Sequence, residues 1–405
     1  MKKILVLIIL TLFVIAALSA QVTFTGILDS TVSLNAGAGD APKFNFGIEE
    51  FANLRLQARI KDRAVIHGAV NLIAAAGNFA VNAAPKTESF AESKHSGIGL
   101  SAYVAGENYL AGIELERLYF GLRGKYVDFD GGLMRLPFGY GQVWGPSDFL
   151  NPKNPLKPDA RARGIIGGAL SGYPTDELKL QAFFSAPRDP FSQEGEGFFA
   201  GISIDQHWNK ASLQGLYSYE TPGDKAAAGI HRFGISVKAD LAVGIYTDML
   251  YTYNHEKMKD LDFYSKDDNS ILDGFSFCFG LDYSVGKFIL MAEYLFNGGT
   301  SSTAIEYGGS FMNYHYLYTG FTVNFTDFTN MSAALICSFS DISFSPIINV
   351  NHELFQGAVL TFTAQVPMDR DLFHKNGKRG ELGPIHPVYN AGNYFSFTAK
   401  LRFKF

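Results

Sequence analysis

The last twelve residues of the chain constrain its fold more than any other stretch. Phe395, Phe397, Ala399, Leu401, Phe403 and Phe405 fall on one parity, and Tyr394, Ser396, Thr398, Lys400, Arg402 and Lys404 fall on the other. Successive side chains of an extended strand point to opposite faces, so this segment reads as a strand with one face for hydrocarbon and one for water. The period recurs. Leu54, Leu56, Ala58 and Ile60 oppose Asn53, Arg55, Gln57 and Arg59; Phe275, Phe277, Phe279, Leu281, Tyr283 and Val285 oppose small or polar residues over 274–285; Ala358, Leu360, Phe362, Ala364 and Val366 repeat the scheme. Strands of a soluble sandwich alternate too, but seldom for six apolar positions ending on the terminal residue. A sheet that meets lipid must close on itself, because an open edge in hydrocarbon leaves backbone donors and acceptors unpaired. The pattern implies an all-β chain wrapped into a transmembrane antiparallel β-barrel.

The other end of the chain reads as a leader. Lys2 and Lys3 precede an apolar stretch from Ile4 to Leu18, broken only by Thr11, and Leu18-Ser19-Ala20 supplies a small-residue cleavage zone. This is the layout of a secretory signal peptide over 1–20, with the barrel over 21–405. The apolar stretch is shorter than the ~20 residues of a spanning helix, and nothing later in the chain supplies one. Composition agrees: 18% of residues are charged, below the ~25% usual in soluble domains. The 36 Phe and 20 Tyr exclude disorder, and a formal charge of -5 gives no reason to expect nucleic acid. Parity places Cys278 on the water side and Cys337 on the lipid side three strands apart, about 14 Å at ~4.8 Å per strand. That exceeds the ~7 Å reach of a disulfide.

A final strand of alternating aromatics ending in Phe405 resembles that of bacterial outer-membrane β-barrels. The resemblance implies a cell outer membrane location, contact with its lipid, and recognition of the terminal strand by the barrel-assembly machinery. In that class both termini face the periplasm, so tight inner turns alternate with longer outer loops. Short connections are expected at 61–63, 124–125, 173–176, 208–210, 239–241, 285–287, 325–328 and 351–354. Outer connections are expected at 35–43, 77–110, 137–163, 187–197, 221–228, 255–272, 297–313, 340–342 and 367–391. Eight inner turns and nine outer loops make 18 strands. The alternative is 16, reached by dropping 342–350, where Pro346 interrupts a hydrogen-bond ladder. Either number surrounds a water-filled lumen.

The third outer loop, 137–163, holds five prolines, Trp144 and six charged side chains. Proline fixes φ and steers the preceding residue away from helix, so the segment is stiff enough to hold a constriction. By ordinal position and length it is similar to the third loop of general porins, which folds into the barrel, and an inward-folded third outer loop is expected here. Trp144-Gly145-Pro146-Ser147-Asp148-Phe149-Leu150-Asn151-Pro152 also resembles a WG-x-x-D-x-x-NP segment of porins of the alginate-export type. Arginine facing lipid is costly, so Arg55, Arg59, Arg63 and His67 on one parity, with Arg117 and Arg123, belong in the lumen. The expected pore-lining or constriction set is Arg55, Arg59, Arg117, Asp148, Asp159, Arg161 and Arg163. Glu114, Glu116, Asp128 and Asp130 oppose these arginines, which leaves general diffusion and anion preference equally open. Tyr314, Tyr316 and Tyr318 share a parity; a headgroup-level girdle is the favoured reading over a sugar-stacking ladder in the pore.

The resulting expectation is an outer-membrane porin: a water-filled channel for passive diffusion of small hydrophilic solutes, with an anionic preference as one variant. Alternatives are a hydrophobic-substrate transporter of the fatty-acid type and a surface adhesin barrel. The nine histidines show no HExxH spacing and no GxSxG elbow occurs, so no enzyme, catalytic residue, metal ligand or cofactor is expected. A homotrimer is one assembly left open.

Overall fold

The computed structural model describes residues 21–37, 43–61, 63–77, 101–151, 164–186, 197–222, 229–254, 274–298, 314–339, 342–366, 368 and 393–405. The leader and Asp159, Arg161 and Arg163 lie outside the described residues. Among the described residues every named element is a strand. The first six are β1 (Gln21–Gly37), β2 (Lys43–Ile60), β3 (Ala64–Gly77), β4 (Ser101–Ala105), β5 (Tyr109–Arg123) and β6 (Val127–Met134). They are followed by β7 (Ile165–Gly172), β8 (Leu178–Ser185), β9 (Phe199–Trp208), β10 (Ala211–Glu220), β11 (Ile230–Asp240), β12 (Gly244–Asn254) and β13 (Phe275–Val285). The last six are β14 (Phe288–Asn297), β15 (His315–Asn324), β16 (Thr329–Ser338), β17 (Ser343–Phe355), β18 (Ala358–Gln365) and β19 (Asn393–Lys404).

Eighteen of these strands form one ring of antiparallel neighbours, and β4 is the exception. β3 pairs directly with β5. β4 pairs with Leu110–Glu114 on the other edge of β5, beyond the Leu118–Arg123 stretch that β6 occupies. β19 pairs with β1, from Ile27 opposite Lys404 to Gly37 opposite Asn393, so the sheet has no free edge. Across this seam Arg402 donates Nε and one terminal NH₂ to the two carboxylate oxygens of Asp29, both at 2.7 Å. Phe405 completes the ladder by exchanging backbone hydrogen bonds with Gly26 at 2.7 and 3.1 Å. Eighteen strands at ~4.8 Å spacing and ~40° tilt enclose a cylinder about 35 Å across, far wider than side chains can fill.

The ring settles the strand number at 18 over 16, and the reason is local. β17 contains Pro346, opposite Leu335 of β16. The Pro346 carbonyl accepts from Val366 at 3.2 Å, so its nitrogen, which lacks a proton, points the same way. That direction lies just past the end of β18, whose pairing with β17 begins at Ile347–Gln365. Proline thus costs one hydrogen bond at the fringe of a ladder. The inner turn expected at 351–354 is displaced: β17 runs on to Phe355 through a register shift after Glu353, and the chain reverses at Gln356–Gly357. The turn expected at 239–241 lies at 241–243, because β11 runs on to Asp240; the other six fall within a residue of where the alternation places them.

Register assigns every strand residue to a face. Outward positions are apolar and exposed, among them Phe24, Leu54, Ile202, Ile235, Phe279 and Phe321. Inward positions are polar where they are not packed under the β6–β7 connection, as in the row Ser345–Gln365, Asn349–Thr363 and Asn351–Thr361 on β17 and β18. Cys278 points inward and Cys337 outward on β13 and β16, and both are free thiols. The packed core lies inside the cylinder, beneath the chain that links β6 to β7.

Candidate pore constriction

The β6–β7 connection enters the barrel. Its residues 136–151 include Trp144 and Ser147 with no exposed surface, and Phe138, Asp148, Phe149 and Asn151 nearly as buried. An extended segment inside a lumen needs partners for its backbone N–H groups. Here inward side chains of successive strands supply them. Gln214 of β10 accepts from Gly139 at 2.6 Å. Asp248 of β12 accepts from Tyr140 at 2.8 Å and Gly141 at 2.9 Å. Glu293 of β14 accepts from Gln142, Val143 and Trp144 at 3.0, 3.1 and 2.6 Å. The Tyr246 hydroxyl donates a fourth bond to Glu293 at 2.8 Å. Tyr246 reaches it because its ring lies across Gly280, where a Cβ would collide with that ring.

Apolar contacts complete the docking. Leu136, Phe138, Phe149 and Leu150 pack on Ile165, Phe183, Phe199, Leu216 and Leu250, inward residues of β7 to β12. Val143 and Trp144 pack on Cys278, Leu295, Tyr316, Ile336 and Ile347, inward residues of β13 to β17. Arg232 holds the Phe149 ring from above, 4.9 Å from its centroid, while paired to Glu220 at 2.8 Å. Within the loop, Asn151 accepts from the Leu136 amide at 2.8 Å, and Asp148 caps the turn that begins at Gly145. The loop therefore lies flat against eleven consecutive strands, β7 to β17. Five inward acids of that wall are engaged: Asp205 by Gln214, Glu220 by Arg232, Asp282 by the Gln142 side chain at 3.1 Å, and Asp248 and Glu293 by loop amides.

Among the described residues, no part of the loop covers the remaining arc, β18, β19, β1, β2, β3, β5 and β6. Arg55 and Arg59 are exposed there, with Arg55 donating to Asn53 at 2.8 Å. Asn53 donates to both Asn71 and Glu116 at 2.6 Å. A register shift after Ala69 leaves Glu116 as an extra residue in β5, a β-bulge. The bulge resets parity, so Glu114, Glu116 and Arg117 all reach the inner face. Arg117 stands 3.3 Å from Glu116. Lower on the same strand Arg123 pairs with Asp130 at 2.7 Å, and His67 stacks on Tyr119 with centroids 4.7 Å apart. Arg135, at the root of the loop, is pulled below its ordinary value by burial, with Asp148 and Glu116 opposing and Arg117 adding to the shift.

Of the residues singled out from sequence, Arg55, Arg59 and Arg117 share this open arc. Asp148 lies on the constriction loop but is buried, so it braces the loop and does not face a solute. Tyr316 and Tyr318 are not a headgroup girdle: register turns both inward, and Tyr316 is wholly buried beneath Trp144 at a centroid distance of 6.0 Å, which leaves it no face for a sugar. Sequence reasoning missed Gln214, Asp248 and Glu293. Their inward parity is readable, but their contacts span separations of 75 to 151 residues and leave no local signal.

No protein-family model matches the chain, and no curated protein does. Solved structures do. Acinetobacter baumannii OccAB4 is similar at 10% identity with a TM-score of 0.53, covering 95% of this chain and 98% of its own. The outer membrane protein OpdK of Pseudomonas aeruginosa is similar at 7% and 0.52, and OccK9 (OpdG) of the same organism at 9% and 0.54, each covering 95% of this chain and 98% of its own. Near-complete coverage at about a tenth identity speaks to architecture: the fold is a closed 18-stranded antiparallel β-barrel of the kind found in bacterial outer-membrane proteins.

Proposed function

We propose that the protein is an outer-membrane porin whose lumen passes small hydrophilic solutes passively and favours acidic ones. One observation carries the reading: the described part of the loop covers the wall that holds Asp248 and Glu293, and does not cover the wall on which Arg55 and Arg59 are exposed. Acids seated behind the loop are set back from the passage and taken up by amide donors, whereas guanidinium groups exposed in a narrow aqueous path raise the local anion concentration. Such transport requires no cofactor and no turnover. A fatty-acid transporter fits less well, because the open path is lined by arginine and not by apolar side chains. Kinship with porins of the alginate-export type rests on the Trp144–Pro152 similarity; the structural neighbours are of another type, and the described part of that segment is occupied in packing the loop. The barrel-assembly machinery is the partner proposed for β19 and Phe405.

Reversal potential across a planar bilayer under a salt gradient tests the reading. The wild-type channel is expected to favour chloride over potassium, and Arg55→Glu with Arg59→Glu to shift the potential toward cations. An unchanged reversal potential in the double variant, or a bilayer that never conducts, overturns the proposal.

A further inference from the structure

β2 carries a carboxyl group on the lipid side of the wall. Glu50 is registered with Ser30 of β1 and Ala74 of β3, and all three are outward positions. Among the described strand residues it is the one acid that faces outward, and no lysine or arginine does. The Ser30 hydroxyl donates to its Oε2 at 2.6 Å, which supplies a hydrogen bond but no counter-charge. The outward residues around the pair are apolar: Leu28 and Val32 on β1, Ile48 and Ala52 on β2, and Leu72 on β3. An ionisable side chain turned toward hydrocarbon is costly, and its position marks a contact with something other than acyl chains.

The same face is too tall for the membrane. Outward apolar residues of β2 run from Phe44 to Ile60, interrupted by Glu50. At ~3.3 Å per residue and ~40° tilt that run is about 40 Å high, against an apolar belt of ~25 Å. Phe44, Phe46 and Ile48 lie beyond Glu50 toward the outer end of the strand, and all three are exposed. With Glu50 at the outer headgroups, these three project into water; with these three in hydrocarbon, the carboxyl group is in hydrocarbon too. Lipid cannot satisfy both halves of the face, whereas a protein surface can.

We propose that two copies of the chain meet on this face, about a two-fold axis beside Glu50. A hydroxyl and a protonated carboxyl both donate and accept, so the Ser30–Glu50 pair is its own complement. Across the axis the two carboxyl groups share a proton, as carboxyls brought together out of water do. β19, β1, β2 and β3, at ~4.8 Å per strand and about 40 Å tall, offer roughly 800 Å² per copy, the size of a stable interface. A homotrimer needs two different faces on every copy, and among the described residues a single outward face carries an acid.

Cysteine cross-linking in outer membranes tests the contact, in a Cys337→Ser background that removes the outward native thiol. Leu28→Cys and Ala52→Cys, registered opposite each other next to Glu50, are each expected to give a disulfide-linked dimer on oxidation. Leu290→Cys, outward on β14 and eleven strands round the ring from β2, is expected to give none. Adding Glu50→Leu is expected to lower the cross-linked fraction about tenfold, and Glu50→Gln, whose amide still donates and accepts, to keep it. Each variant is first verified as a folded barrel by heat-modifiable gel mobility. No dimer at either position, equal cross-linking through Leu290→Cys, a cross-link to a protein of different mass, or a dimer fraction unaltered by Glu50→Leu would each overturn the proposal. Glu50 faces away from the lumen, so conductance of the same preparations tells a failure of this contact from a failure of the pore reading.

Discussion

Glu293 shows how much of a pore can hang on one side chain. Its two oxygens accept three loop amides and one phenol, a set that no neutral residue of similar size reproduces. Removing it leaves those donors unpaired inside the barrel, a cost of about 2–4 kcal/mol that is avoided only if the loop departs. Cys278 reports the departure. Its thiol is fully buried beneath the loop, 3.6 Å from the Trp144 carbonyl oxygen. In wild type it should resist a hydrophilic maleimide; in Glu293→Ala it should label at least tenfold faster, and equal labelling would show that the carboxylate does not hold the loop. Asp248→Asn should give a milder form of the same effect, because an amide keeps one acceptor for two donors.

At the scale of elements, the β6–β7 loop is expected to set the bore. Deleting Gly139 to Ser147 removes the segment that reaches from β10 to β17 and should raise single-channel conductance severalfold; an unaltered value would place the flow elsewhere. The strands themselves were legible from alternation alone, because a barrel wall one residue thick imposes a strict period of two. The exceptions have physical causes. Pro346 escapes its penalty at the end of a ladder, and the β5 bulge at Glu116 cancels one step of parity, which no count of alternating residues along β5 anticipates. Stiffness of the loop was readable from its prolines, and its inward fold from its rank along the chain. Its seat was not readable, since Gln214, Asp248 and Glu293 are distant in sequence and become neighbours of the loop only when the sheet closes. Arg55 and Arg59 lie on the inward parity to which the cost of charge on the lipid side assigns them, whereas Tyr316 was misjudged because aromatic side chains suit either face.

For the molecule as a whole, closure is the decisive event, and the seam between β1 and β19 concentrates it. Gly26 exchanges backbone hydrogen bonds with Phe405, and the Phe405 ring lies so close over it that any Cβ would collide. Gly26→Leu should therefore push the exposed Phe405 ring off the seam and weaken the last contact of the closed sheet. The expected readout is a lower yield of heat-modifiable, folded barrel in outer membranes, with the strands elsewhere unaltered; wild-type yield would show that the seam tolerates a side chain. The docked loop has a further consequence for how such a channel can change. On the proposed reading, in which eleven strands serve as a bearing surface and seven as the bank along which cargo travels, substitutions that retune cargo choice can accumulate on β1, β2, β5 and β19 without loosening the loop, while the opposite bank is held fixed by its mechanical duty.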